Sequence, residues 1–299
     1  MPQNINGKHC YIDQATGEYF ETDGGTFYSN EDKEKAKRAK EALYHKELRR
    51  SQAGKQGGFV LMKRTRLNNK ISPQILGRLA YLSVYSEYDT GRLMLSERTI
   101  MKSEDLKGIL GISQRTVYDF LKECQESALL TLKENGEMIL SDYFIKGRSK
   151  FQKQIRLYID PVKSLYQKMI QSEQNIRYFG YIIQLVPYIN KEWNVICCNP
   201  NERSPHKLEP MNIEEICSLL NFNPTNSGRL TRVLKKITFI GYDLFENERR
   251  EQKLCNFIKD SESNEWRMII NPNVLFMGTD PTKIEGYLQF FPNKAIGIS

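Results

Sequence analysis

Hydrophobic positions change their spacing several times along the chain, and each change predicts an element. Phe59, Val60, Leu61 and Met62 are consecutive, as in a short buried strand. Ile75, Leu76, Leu79, Ala80 and Leu82 then recur at helical spacing behind Ser72-Pro73, a helix start with proline in the first turn. Residues 92–96 read as another short strand. Ser103 opens a short helix carrying Leu106, Ile109 and Leu110; Gly111-Ile112 turns the chain; Ser113 caps a further helix with Val117, Phe120, Leu121 and Cys124 inward. Leu130-Thr131-Leu132 and Met138-Ile139-Leu140 flank Glu134-Asn135-Gly136-Glu137, which predicts a hairpin whose Asn and Gly both take positive φ. Two short helices around a glycine turn, followed by a hairpin, make a winged helix-turn-helix.

The same order returns further along. Residues 174–189 form an aromatic-rich helix (Ile176, Phe179, Ile182, Ile183, Val186), and residues 193–198 a short strand. Ile213, Ile216, Leu219 and Leu220 mark a short helix, Asn221-Phe222-Asn223-Pro224 a turn, and Leu230, Val233, Leu234 and Ile237 the next helix. Residues 254–259 and 266–270 make a second wing. The repeat is one of element order and not of sequence. Ahead of both units, Cys10-Tyr11-Ile12 and Tyr19-Phe20 predict a hairpin within residues 8–28, and Asn30-Glu31-Asp32 starts a charged helix through Arg50 with almost no apolar stripe. The glycines of residues 51–58 mark a linker. The predicted fold is therefore α+β, mainly helical, with two tandem winged helix-turn-helix domains behind an N-terminal hairpin and a basic helical arm. Its segments are 1–30 (hairpin), 31–58 (basic helix and linker), 59–150 (first winged-helix domain), 151–172 (connector), 173–278 (second winged-helix domain) and 279–299 (C-terminal tail).

Composition narrows the function classes. The chain of 299 residues suits two domains with an extension, and its 16 Tyr and 14 Phe, spread along most of it, argue against long disorder. Apolar stretches such as residues 181–186 fall far short of the roughly 20 residues of a membrane span, and the N-terminus lacks the apolar core of a signal peptide. A cytoplasmic protein without membrane contact is expected. The six cysteines form no C-x-x-C pair, and Cys124 and Cys217 fall on apolar helix faces. His9, His45 and His206 are isolated, and there is no H-E-x-x-H and no phosphate-binding G-x-x-x-x-G-K-[ST] loop. No metal, cofactor or catalytic residue is expected, and the chain reads as a non-enzyme.

Charge adds a partner. Residues 31–70 hold 13 Lys/Arg against 5 Asp/Glu, a surplus equal to the net +8 of the whole chain. Such a segment suits a polyanion, although a solvated helix face explains charge alone equally well. In the first unit the inward residues leave Gln114, Arg115, Thr116, Tyr118, Asp119 and Lys122 outward. Arg can read guanine, Gln adenine, and the Thr methyl can touch thymine. Asp119 and Glu123 oppose this reading, because acids near phosphates are unfavourable. The second unit presents Asn226, Ser227, Arg229, Arg232, Lys235 and Lys236, and Lys133 can reach a phosphate from the first wing. The expected partner is double-stranded DNA, bound by a single chain or a homodimer. Tyr81, Tyr85, Phe179 and Tyr181, at helical spacing, belong to the core.

Three segments carry a family resemblance: Asp13-Gln14-Ala15-Thr16-Gly17-Glu18, Leu110-Gly111-Ile112-Ser113-Gln114-Arg115-Thr116-Val117, and Ile270-Asn271-Pro272-Asn273-Val274-Leu275-Phe276-Met277-Gly278. In these the chain resembles the winged-helix replication and regulatory proteins of Gram-positive plasmids and phages, including the firmicute plasmid replication protein family. Members often have one winged helix, so the doubled unit is a departure. The resemblance implies a mobile-element protein that binds specific duplex sites to control transcription or start replication. The alternative is an interaction protein that uses a winged helix to dock on a polymerase, replisome or host factor. A nuclease or recombinase has least support, since no H-x-x-R with a downstream tyrosine is found.

Overall fold

In the computed structural model, residues 3–5, 8–12, 19–22, 30–67, 71–147, 154–170, 172–243, 248–259, 266–278 and 294–295 are described. Contacts divide the chain into two units, Met1–Leu48 and Arg49–Ser299. In the first, strands β1 (Gln3–Ile5), β2 (Lys8–Ile12) and β3 (Tyr19–Thr22) form an antiparallel sheet with Tyr11 opposite Phe20. The expected hairpin is thus present with one more strand before it, and its turn at residues 13–18 lies outside the described residues.

Helix α1 spans Asn30–Lys55 and is exposed throughout residues 31–44, as its missing apolar stripe requires. It runs past the Arg50 end that its sequence suggests. Gly57 and Gly58, at φ 73 and 93, end it as left-handed residues, and the Gly58 N–H donates to the Ala53 carbonyl (2.7 Å). Gln56 is buried and exchanges two hydrogen bonds with the Tyr242 backbone, donating from Nε2 (2.6 Å) and accepting at Oε1 (3.0 Å). The glycines at 57 and 58 therefore make a tightly held turn where a linker is expected.

In the larger unit β4 (Phe59–Lys63) leads to α2 (Pro73–Ser83), whose N-terminus is capped by the Ser72 hydroxyl. A 3₁₀ turn and α3 (Leu106–Leu110), then α4 (Gln114–Glu126), β5 (Leu130–Leu132), β6 (Met138–Leu140) and β7 (Phe144–Ile145) follow. β8 (Gln154–Tyr158), α5 (Ile159–Met169) and α6 (Glu173–Gln184) come next, so the expected connector contains a strand and a helix. The chain continues through α7 (Ile213–Leu219), α8 (Ser227–Leu234), a hairpin of β9 (Thr238–Asp243) and β10 (Glu248–Lys253), and a second of β11 (Cys255–Lys259) and β12 (Trp266–Ile270). β13 (Leu275–Phe276) and β14 (Lys294–Ala295) complete it, the latter pairing with β10. The fold is mixed α+β, with eight α-helices and small antiparallel sheets among the described residues. One continuous hydrophobic cluster takes in Leu79, Phe120, Phe179 and Leu234.

The expected repeat of element order extends to single hydrogen bonds. Leu93 N–H donates to Met138 (2.9 Å) and Leu140 N–H to Gly91 (2.8 Å); in the later segment Ile196 donates to Met268 and Ile270 to Asn194, both at 3.0 Å. Gly91 and Asn194 share a positive φ, 71 and 55, and so do Gly111 and Asn221, 63 and 50, each just past the first helix of its pair. The two segments meet in a four-stranded sheet of order β13-β8-β4-β7. At its centre Leu61 lies opposite Arg156, flanked by Val60 with Leu157 and Met62 with Ile155. Above it α2 and α6 cross, with Gly77 against Ile176 and Gly180 against Pro73.

Two insertions break the likeness. Among the described residues α5 has no counterpart between β4 and α2; its Tyr166 stacks on Tyr81 (3.9 Å between centroids, 4° between planes) and donates to the Leu110 carbonyl (3.1 Å). The β9–β10 hairpin packs on α5, where Ile240 N–H donates to Ser164 Oγ (2.7 Å).

Candidate nucleic-acid interface

Helix α4 is held by local chemistry at its start and by packing along its length. Ser113 Oγ accepts from Thr116 N–H (3.2 Å), while left-handed Gly111 ends α3. Val117, Phe120, Leu121 and Cys124 are buried. That leaves Gln114, Arg115, Tyr118, Asp119 and Lys122 exposed, with Tyr118 at 69%. Thr116 is half-buried and its hydroxyl pairs with Ser113 (2.8 Å), so only its methyl side remains for contact. Glu123 does not belong to this face. Its carboxylate accepts the Ser72 N–H at the start of α2 (2.5 Å), which removes one of the two acids that opposed an anionic partner.

The hairpin beside α4 differs from expectation at its turn. Gly136 is left-handed (φ 81), but Asn135 is not among the positive-φ residues; Lys133 N–H donates to Glu137 O (2.9 Å) and Gly136 N–H to Lys133 O (3.0 Å). This is a three-residue loop closed by a left-handed glycine, with Asn135 Oδ1 accepting from Glu137 N–H (3.1 Å). Lys133 is exposed and forms an ion pair with Glu137 (3.6 Å). At this separation, and with the Lys133 side chain 47% exposed, the pair holds the lysine only weakly.

Helix α8 presents its charge differently. Leu230 and Leu234 are buried, and Asn226, Arg229, Arg232 and Lys236 are exposed, Asn226 lying before the first turn. Ser227 is half-buried. Lys235, expected to face a phosphate, instead stands over the Trp266 ring (4.8 Å) and the Phe257 ring (5.4 Å) of the second hairpin. A cation over an aromatic face is stabilised there. Sequence reading missed Trp266, which is 48% exposed and lines an open groove with Phe257, Gly228, Thr231 and Arg232. A tryptophan opening a hairpin strand was the available signal.

The turns within the two helix pairs have different supports. On the first, α5 supplies Tyr166 to Leu110 and sets Ile170 against Gly111. Around Asn221 there is instead a cavity of about 170 Å³, lined by Arg66, Gln184, Tyr188 and Leu220. Arg66 lies over the Tyr188 ring (4.8 Å), much as Lys163 lies over Tyr85 (5.3 Å).

The asparagines of residues 270–278 are structural. Asn271 Nδ2 donates to Lys253 O (2.9 Å), Asn273 Nδ2 donates to Gln252 Oε1 (2.8 Å), and both residues are buried. Burial raises the Cys197 and Cys255 thiols to about 12, so neither is a thiolate near neutral pH. Among the described residues no three His, Cys, Asp or Glu side chains converge as a metal site, and no helix is long and apolar enough to cross a membrane. No family model matches the chain, and neither does any curated protein or solved structure.

Proposed function

We propose that the chain is a sequence-specific double-stranded-DNA-binding protein whose two helix-pair-and-hairpin units act as winged helix-turn-helix readers, and that it is not an enzyme. The observation that carries this reading is α4: four buried apolar residues hold it while Gln114, Arg115, Tyr118 and Lys122 stand in solvent beside a hairpin. Arg and Gln suit guanine and adenine edges, and Lys133 is exposed on the hairpin that follows α4. The second unit supports the reading through Arg229, Arg232 and Lys236, a set suited to phosphate. Two such helices in successive major grooves, about 34 Å apart, give a footprint of two helical turns. The resemblance in residues 110–117 and 270–278 extends the reading to a cytoplasmic regulator or replication initiator of a plasmid or phage.

Band-shift and footprinting assays on fragments of the source genome test it. The expected result is salt-dependent binding with a preference for defined duplexes, its affinity reduced by both Arg115→Ala and Arg232→Ala and its preference relaxed by Arg115→Ala. Equal affinity for all duplexes, or binding untouched by both substitutions, overturns it.

One observation favours a second reading, a docking module for a protein partner: the exposed Trp266 beside Phe257 offers an apolar anchor of the kind protein interfaces use. A partner retained after nuclease treatment, and lost with Trp266→Ala, would support it over DNA binding.

A further inference from the structure

We infer that the cognate duplex carries two unlike half-sites in inverted orientation, read together by one chain whose two repeats replace the two subunits of a dimer. This rests on the duplex-binding reading above and adds the arrangement of the target.

A two-fold relation has a signature: if one residue meets a second, their equivalents meet in the reverse sense. The larger unit shows it at three levels. In the central sheet Leu61 and Met62 pair with Ile145 and Phe144 of β7, while Arg156 and Leu157 pair with Phe276 and Leu275 of β13. Exchanging Leu61 for Arg156 and Met62 for Leu157 converts one set into the other. The β4–β8 register is unchanged by that exchange: Leu61 with Arg156 maps onto itself, and Val60 with Leu157 maps onto Met62 with Ile155. Backbone bonds follow, with Lys63 N–H to Tyr143 O (2.9 Å) matched by Tyr158 N–H to Val274 O (3.0 Å). At the helix crossing Gly77 meets Ile176, and Gly180 meets Pro73; the spacing from Gly77 to Gly180 equals that from Pro73 to Ile176.

The axis therefore passes through the Leu61–Arg156 pair and the α2–α6 crossing, and it relates α4 to α8. Buried positions agree: Phe120 and Cys124 of α4 recur with the same spacing as Leu230 and Leu234 of α8, while buried Val117 has half-buried Ser227 as its counterpart. Duplex DNA has two-fold axes of its own, so a reader with this symmetry meets inverted half-sites, whereas modules related by translation meet direct repeats. The helices differ in what they show. Gln114, Arg115, Tyr118 and Lys122 of the first have Pro224, Thr225, Gly228 and Arg232 as counterparts in the second, so the halves are unlike. Because Gly77 and Gly180 are both buried, the pairing surface is already filled within one chain.

Selection from a randomised duplex pool with the full chain, followed by selection with a symmetrised variant, tests this. The variant carries the α4 face on α8 through Pro224→Gln, Thr225→Arg, Asn226→Thr, Gly228→Tyr and Arg232→Lys; Gly228 has open space around it. The expected result is one chain per duplex by native mass spectrometry, and a site that becomes a palindrome of its first half with the variant. Reversing one half of the natural site should weaken binding about tenfold or more. A second readout needs no graft: photocrosslinkers at Lys133 and at Ile258, its counterpart by the hairpin registers, should mark positions mirrored about the site centre. A direct repeat, crosslinks offset in the same sense, half-sites on separate duplexes or two chains per site would each overturn the inference while leaving duplex binding intact. Failure to select any duplex would instead overturn duplex binding itself.

Discussion

Gly77 and Gly180 touch across the crossing of α2 and α6: a Cβ on Gly77 would stand 3.3 Å from the Gly180 nitrogen and 2.6 Å from the Ile176 carbonyl oxygen. A Cβ on Gly180 would overlap the Pro73 carbonyl. Both obstacles are backbone and cannot swing aside. Glycine at these places sets how closely the halves of the larger unit approach.

Substituting them should separate the helices. Gly180→Ala is expected to destabilise the protein by about 3 kcal/mol, with Gly77→Ala slightly milder. Gly108→Ala is the control, since nothing lies within 4 Å of a Cβ there, and it should be neutral or stabilising by up to about 1 kcal/mol. Denaturant unfolding of the three variants measures the order.

Unequal buttressing should appear as unequal local stability. The α3–α4 turn has Tyr166 and Ile170 packed on it, while the α7–α8 turn borders a cavity of about 170 Å³. Amide hydrogen exchange should be slower at Ile112 than at Phe222, each the residue after its turn's left-handed position. Tyr166→Phe, which removes the donor to Leu110, is expected to cost about 1–2 kcal/mol and to speed exchange at the first turn only.

The duplex-binding proposal predicts that α4 and α8 differ in salt response. Arg229→Ala and Arg232→Ala are each expected to reduce the dependence of log affinity on log salt by about 1, with little effect on sequence preference. Lys235→Ala should reduce it less, because that ammonium is held over Trp266 and Phe257. Gln114→Ala should relax base preference on one side of the site and leave the salt slope unchanged. Binding isotherms at several salt concentrations separate these outcomes.

Alkaline stability follows from the buried thiols. Cys197 and Cys255 are raised by burial from an ordinary 9.0 to about 12. Between those values the unfolded chain has released protons that the folded chain still holds, so stability falls as pH rises through that window and is flat with respect to these groups below it. The slope for each is at most about 1.4 kcal/mol per pH unit. Thermal melts at about pH 8 and about pH 11, for the natural chain and for Cys197→Ala with Cys255→Ala, should show a shallower decline in the double variant.

What the sequence determined is local. Ser72 and Ser113 cap the helices they precede, Gly111 is left-handed after α3, and Val117, Phe120, Leu121 and Cys124 are buried together. Caps, turns and helical periodicity depend on residues within one or two turns, so they can be read without the rest of the chain. The recurrence of element order was legible for the same reason. α5 and the β9–β10 hairpin were not, because α5 fills the Tyr81 and Leu110 surface and the hairpin packs upon α5.

Only the tertiary structure decided how the two halves face each other and what several polar residues do. Gly57 reads as linker until Asp160 and Tyr242 are found beside residues 56 and 57. Glu123 counts against an anionic partner until its carboxylate is seen to hold the Ser72 amide, and Lys235 counts as a free charge until it lies on Trp266. The axis through Leu61 and Arg156 joins strands far apart in the chain, and no local pattern encodes which strand an edge will meet. Partner and register come from burying both repeats in one core, with glycines where the backbones of α2 and α6 meet.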